Sequence, residues 1–298
     1  MYTTIPHDML LNAIQQCTRE AFDYAAEDYD IDIGRLRLEW IKEDGHEQTQ
    51  WIRGSGDGGR SKKDHHTFSH SQLNEWVRFL VENIYIVNDG TIRRQVVGIP
   101  MGTNCAPPLA NLFLYAFESA YIDRLEEKDP VSAGQFHMTF RLIDDTLAID
   151  NPQWEAAVAD IYPRELKLAD TTPHDEAAAV HFLGMDIFGV DDRFRLRVYD
   201  KRDDFPFTVV RYPRMESLIP QTIPYGVFSG QLHRGYRICS MMDDFLSFAV
   251  DVGRRLMSNG CRGRRLSMLF SNFVQRFVTK WSRHDLCNRF RRALGNSV

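Results

Sequence analysis

The sequence has little cysteine, and what it has is scattered: Cys17, Cys105, Cys239, Cys261 and Cys287 form no C-x-x-C pair. That excludes the usual zinc-ribbon spacings and leaves a reduced chain in an intracellular setting as the simplest expectation, the nucleus among the options. Long apolar runs are missing too. No stretch approaches the ~18 apolar residues of a membrane span, so no membrane partner is expected. Met1-Tyr2-Thr3-Thr4-Ile5-Pro6 lacks the charged and apolar regions of a secretory leader. Internal repeats and low-complexity tracts are absent. Acids become scarce near the end: from Val252 to Val298 eleven Arg or Lys face one acid, Asp285. Because the 298 residues carry a net −5, this end holds +10 and the remainder −15. Such asymmetry fits either a solvated helical surface or one face that meets a polyanion.

What is present suffices for one large core or two modest ones, with 43% hydrophobic and 26% charged residues. Pro6 before His7-Asp8-Met9-Leu10 predicts a helix running to about Ala26. The stretch 27–66 is acidic, then rich in glycine and basic residues, and reads as a surface insertion with one strand at Leu36–Ile41. Leu73, Trp76, Val77 and Leu80 have helical spacing over 71–81. Ile84-Tyr85-Ile86-Val87, the turn Asn88-Asp89-Gly90 and Thr91–Val97 predict a hairpin. After Pro107-Pro108 a long helix is expected, with Leu109, Leu112, Phe113, Ala116 and Phe117 on its apolar face.

Two segments carry chemistry. In Phe140-Arg141-Leu142-Ile143-Asp144-Asp145-Thr146-Leu147-Ala148-Ile149, apolar and β-branched residues flank two adjacent carboxylates, the pattern of a hairpin with acids at its tip. Two readings stay open here. Turns favour Asp for its own backbone hydrogen bonds, and Mg²⁺ takes one or two carboxylates plus phosphate oxygens. The other segment, Gln95-Val96-Val97-Gly98-Ile99-Pro100-Met101-Gly102-Thr103-Asn104-Cys105-Ala106-Pro107, sets glycines between a strand and a helix. Close backbone approach to a ligand is possible there. His65-His66 with His70 reads as surface histidines, and Asp243-Asp244 as a solvated helix start.

Taken together, Gln95 to Pro107 with Leu109-Ala110-Asn111-Leu112-Phe113, and Arg141-Leu142-Ile143-Asp144-Asp145, resemble two catalytic segments of reverse transcriptases. The resemblance is closest to the Penelope-like retroelements. Leu142 stands where that family has an aromatic. Phe182-Leu183-Gly184-Met185-Asp186-Ile187 resembles the primer-grip hairpin, and Gln231 to Cys239 the Q-x-x-R-x-x-R-I-C start of the thumb.

The resemblance implies an α+β right-hand polymerase palm with partial fingers over 1–210, followed by an all-helical thumb over 211–298. It implies Asp144 and Asp145 as catalytic ligands of two Mg²⁺ ions, and RNA template, DNA primer and dNTPs as partners. Tyr2, Gln95, Gly98, Met101 and Gly102 are implied as nucleotide and template contacts. Phe182, Leu183 and Gly184 would form the primer grip. Arg254, Arg255, Arg262, Arg264 and Arg265 are expected to touch duplex phosphates, or else to pair with the acidic body. Tyr2-Thr3-Thr4-Ile5-Pro6 matches the family segment that follows its first catalytic aspartate, in the order D-x-x-x-x-Y. That aspartate would precede Met1, so weak Mg²⁺ binding and impaired catalysis are expected of residues 1–298. His174 and Lys167 precede the primer grip, where polymerases place a general acid; a surface loop is the simpler reading. The alternatives are a catalytically dead nucleic-acid-binding remnant and a telomerase-type fragment. Oligomeric state is not legible.

Overall fold

Pro6, already at φ −63°, leads into the first helix, α1 (His7–Asp28), where Leu10, Leu11, Ile14, Cys17, Phe22 and Ala25 recur at helical spacing and are buried. The structure is a computed structural model that describes residues 4–43, 45–54, 65–99, 102–166, 168–173, 175, 178–207 and 209–295. It is a mixed α+β chain of two compact units, Met1–Ala169 and Asp170–Val298. Among the described residues no helix is long and apolar enough to cross a membrane.

In the first unit a small antiparallel sheet follows α1, made of β1 (Leu36–Glu43), β2 (His46–Arg53) and β3 (His65–Phe68) in the order β2-β1-β3. This corrects the expectation of one strand in the 27–66 insertion. Six of the eight β2 residues are exposed, so it carries almost no apolar alternation to read. Its cover is Phe22 with Trp51, whose rings meet edge to face at 4.8 Å. Helix α2 (His70–Glu82) starts on a capping box between Ser69 and Gln72.

A hairpin follows, β4 (Tyr85–Asn88) and β5 (Thr91–Arg94), turned at Asp89-Gly90 with φ of 49° and 71°. β5 stops short of the expected Val97 because Val97 leaves to bridge Pro6, and the Gly98 N–H donates to the Ile5 carbonyl at 2.7 Å. The long helix α3 (Ala106–Lys128) is in place, but its buried stripe is rotated: Ala110 and Leu114 are buried and Leu112 is exposed. Then come α4 (Pro130–Gly134), β6 (Thr139–Leu142), β7 (Asp145–Ala148) and α5 (Trp154–Ile161). Ile5, Leu10, Ile14, Ile99, Leu109, Phe113 and Ile161 share the core of this unit.

The second unit begins with a meander of β8 (Val180–Phe182), β9 (Met185–Val190) and β10 (Arg193–Val198). Four helices follow: α6 (Ile223–Ile238), α7 (Met242–Ser258), α8 (Gly263–Phe277) and α9 (Arg283–Ala293). Phe228, Phe245, Phe270 and Phe290 fill their core, with Phe270 and Phe290 stacked at 3.9 Å. Removing any one of these rings would cost about 3–5 kcal/mol. Asp243 and Asp244 do open α7, but they are not merely solvated. Asp244 accepts two bonds from Arg195 of β10, at 2.6 and 2.8 Å, and Asp243 one from Arg289 of α9 at 2.7 Å. The five cysteines are free thiols.

Candidate active site

Asp144 and Asp145 lie where the sequence expects them, at the tip of the β6–β7 hairpin. The pairs run Thr139↔Ala148, Phe140↔Leu147, Arg141↔Thr146 and Leu142↔Asp145, so Ile143 and Asp144 form a two-residue turn. Both aspartates are exposed. The positive-φ position of this turn is taken by Ile143, at +59°. A β-branched residue there is strained by roughly 1–3 kcal/mol and persists only if its surroundings enforce it.

They do. The Ile143 N–H donates to Oδ1 of Asn111 at 3.1 Å, and its carbonyl accepts from Nη1 of Arg141 at 3.2 Å. The Ile143 side chain packs against the core of this unit. Arg141 also donates to Asn111 Oδ1 at 3.0 Å and forms a two-pronged pair with Glu118, at 2.5 and 2.9 Å. The Tyr162 hydroxyl donates to the same carboxylate at 2.6 Å. Burial, and then the neighbouring Glu118 charge, push the Tyr162 phenol far above its ordinary range, so it remains a donor. The Arg141 and Glu118 side chains are 13% and 26% exposed, which makes this a largely desolvated pair with its hydrogen bonds filled. Asn111 and Glu118 are seven residues apart on α3, two turns along one stripe, which is why that stripe is unavailable to the apolar core. Sequence reasoning did not single out Asn111, Glu118 or Tyr162; for Asn111 and Glu118 the available signal was polar residues at heptad spacing inside an apolar helix.

Gln95, Gly98 and Gly102 belong to the same unit. Gln95 donates through Nε2 to the Val97 carbonyl at 2.9 Å. Gly98, at φ +86°, lies against the chain start, its carbonyl 2.8 Å from Nε2 of His7. Gly102 is at φ +97°, with no atom of a described residue beyond its chain neighbours within 4 Å of where a Cβ would stand. An L side chain would be strained at that φ, and glycine leaves bare backbone there. Tyr2 and Met101, and likewise Lys167 and His174, lie outside the described residues.

The donor set of the tip fits a Mg²⁺ ion in part. Two adjacent carboxylates suit an ion completed by phosphate oxygens and water. Among the described residues no group of three or more His, Cys, Asp or Glu is placed to hold a metal by itself.

The second unit holds the remaining residues singled out by sequence. Phe182, Leu183 and Gly184 form the end of β8 and its turn into β9, with Leu183 and Gly184 at φ 48° and 74°. Nη2 of Arg234, on α6, donates to the carbonyls of Gly184 and Tyr199, each at 3.3 Å. Next to the turn, buried Asp186 accepts from Arg197 at 2.5 Å and lies 2.6 Å from His181. The five arginines divide. Arg254 donates to the Ala293 carbonyl at the end of α9, and Arg255 pairs with Asp251 and Asp203. Arg262, Arg264 and Arg265 are exposed at the start of α8 and make no ion pair among the described residues; Arg265 lies 4.1 Å over the Tyr225 ring. No protein-family model matches the chain, and no curated protein matches it.

Proposed function

We propose that the chain is the palm and helical thumb of a retroelement RNA-directed DNA polymerase, acting on an RNA template, a DNA primer and dNTPs inside the cell. The observation that carries this reading is a hairpin that holds an exposed aspartate pair at a strained, heavily braced tip. In the same unit Gly98 and Gly102, both at positive φ, precede α3. Asp144 would be the principal Mg²⁺ ligand and Asp145 the second. When bound, Mg²⁺ would lower the pKa of the primer 3′-hydroxyl and offset the charge of the triphosphate. Gln95, Gly98 and Gly102, with Tyr2 and Met101, would receive the template and the nascent pair, and Phe182-Leu183-Gly184 the primer end.

Phosphate contact falls to Arg262, Arg264 and Arg265. Cations at a helix N-terminus face the positive end of its dipole, an unfavourable placement that a bound phosphate would reverse. Sequence-independent contact of this kind suits a duplex that must slide after each addition. A catalytically dead, nucleic-acid-binding remnant is the second reading. It is favoured by the lack of a third metal-binding side chain beside Asp144 and Asp145 among the described residues.

Duplex binding and primer extension, measured on the same preparations, test both. Binding of residues 1–298 to a primer–template should weaken with salt at a log–log slope near −0.9 per phosphate contacted. Each of Arg262→Ala, Arg264→Ala and Arg265→Ala should reduce that slope by about one unit. Unchanged binding in the triple variant would defeat the thumb contact. In a longer chain that carries D-x-x-x-x-Y with Tyr2 as its tyrosine, Mg²⁺-dependent extension is expected, and Asp144→Asn should abolish it without loss of duplex binding. Binding without extension in that longer chain would favour the remnant.

A further inference from the structure

The acids at the tip are solvent-exposed, yet the backbone that aims them is held from behind by four polar side chains. Asn111 is the hinge of that arrangement. Its Oδ1 accepts from both the Ile143 N–H and the Arg141 guanidinium, at 3.1 and 3.0 Å, and its own carbonyl accepts from Arg141 at 3.3 Å. Arg141 in turn is fixed by Glu118, and Glu118 by Tyr162. These links tie α3, β6 and the end of α5 to one another, two of them reach the turn at Ile143, and all belong to one unit. A turn with Ile at φ +59° would relax into a different conformation if those bonds were removed, since strain of this kind is maintained only by its surroundings. The direction in which Asp144 presents its carboxylate would change with it.

We infer that Asn111 is a positioning residue: backed by Arg141, Glu118 and Tyr162, it pins the Ile143 turn and thereby sets the geometry with which Asp144 meets a divalent cation. The inference rests on the reading of Asp144 as a metal ligand. Asn111 would touch neither the cation nor a substrate. Its effect passes through the Ile143 N–H and through Arg141, which braces the Ile143 carbonyl. Outer-shell partners of this sort commonly alter metal affinity by about 10–100-fold.

Two measurements on residues 1–298 test it together: amide hydrogen exchange at Ile143, Asp144 and Asp145, and titration with Mn²⁺ followed by paramagnetic relaxation. Asn111→Leu keeps the shape and removes the acceptor; Asn111→Asp keeps the acceptor. In Asn111→Leu, protection at the Ile143 amide should fall and Mn²⁺ affinity should weaken about tenfold, with exchange elsewhere along α3 unchanged. Asn111→Asp should restore both. If Asn111→Leu does not fold, Tyr162→Phe, which removes a single hydroxyl from the far end of the network, should move both readouts in the same direction by less. Mn²⁺ affinity that responds to Asp144→Asn but not to Asn111→Leu or Tyr162→Phe overturns the positioning role alone. Affinity that ignores Asp144→Asn sinks the metal-ligand reading itself, and with it the purpose assigned to the network.

Discussion

Among the described residues two hairpins end in adjacent aspartates, and they are built differently. At the β9–β10 turn, Asp191 and Asp192 are the two loop residues, and Asp191 itself takes the left-handed position at φ +51°. Aspartate tolerates that region, being enriched there several-fold. Both side chains are exposed and neither forms an ion pair among the described residues. This is what a plain acidic turn looks like. At the β6–β7 turn the left-handed position falls to Ile143 instead, one residue earlier, and the acids follow it. That arrangement costs strain, is braced by Asn111 and Arg141, and is backed by a desolvated ion pair. A turn needing only to reverse the chain has no use for such bracing. The difference teaches that acidity at a hairpin tip is weak evidence by itself, whereas acidity maintained at a conformational cost suggests a task.

The largest way to break the comparison is to remove the brace. Arg141→Met leaves Glu118 largely desolvated with Tyr162 as its remaining donor and takes the support from the Ile143 carbonyl. Losing one partner of a buried pair costs roughly 3–5 kcal/mol; partial exposure of Glu118 brings the expectation to about 2–4 kcal/mol. Urea unfolding of the first unit measures it. A cost below about 1 kcal/mol, the level of a surface pair, would mean that the network is ornamental and the two tips are alike.

Much of this contrast was legible in advance, but unevenly. The β6–β7 hairpin, the Asp89-Gly90 turn and helices α1 to α3 announce themselves through apolar period, proline placement and turn chemistry. The 27–66 sheet does not, because β2 is nearly all polar and its pairing depends on neighbours brought from afar. Asp243-Asp244 reads as a helix start, which it is, while its role in tying α7 to β10 and α9 depends on Arg195 and Arg289, distant in sequence. The same limit hides the site's brace. Asp144 and Asp145 are adjacent and conspicuous, but Asn111, Glu118, Arg141 and Tyr162 converge only once α3, α5 and β6 have packed. Local chemistry can be read along the chain; a network of side chains cannot.

A smaller effect is expected from transplanting the strain. Asp191→Ile puts a β-branched residue at φ +51° where nothing enforces it. The cost should be about 1–2 kcal/mol, seen as a lower urea midpoint for the second unit, or the turn should refold into another register. Asp191→Gly should be close to neutral, because glycine takes that conformation freely. If Asp191→Ile were also neutral, then φ near +50° would be cheap in this chain, and the strain argued for Ile143 would lose its force.

The smallest effect concerns which acids make the second unit sensitive to low pH. Asp200 and Asp203 are held by ion pairs with Arg211 that protonation would break. The Arg211 hydrogen bond holds the Asp203 carboxyl below the ordinary 3.8, against the opposing effect of burial, and Arg211 and Arg255 add their charge. Burial pushes Asp200 up, yet bonds from Arg202 and the charges of Arg202 and Arg211 outweigh it and leave the group low as well. A folded pKa below the unfolded one means stability that is fully present above about pH 4 and is lost as pH falls through the folded value. Asp203 is 53% exposed at its side chain, so solvent screening keeps its share small. Thermal unfolding followed from about pH 5 down to pH 2 should therefore show a modest acid loss. Asp203→Asn should make that loss shallower. An acid loss as steep in Asp203→Asn as in the unaltered chain would mean that the Arg211 pair contributes nothing to stability, and the acid sensitivity of the second unit would have to lie elsewhere.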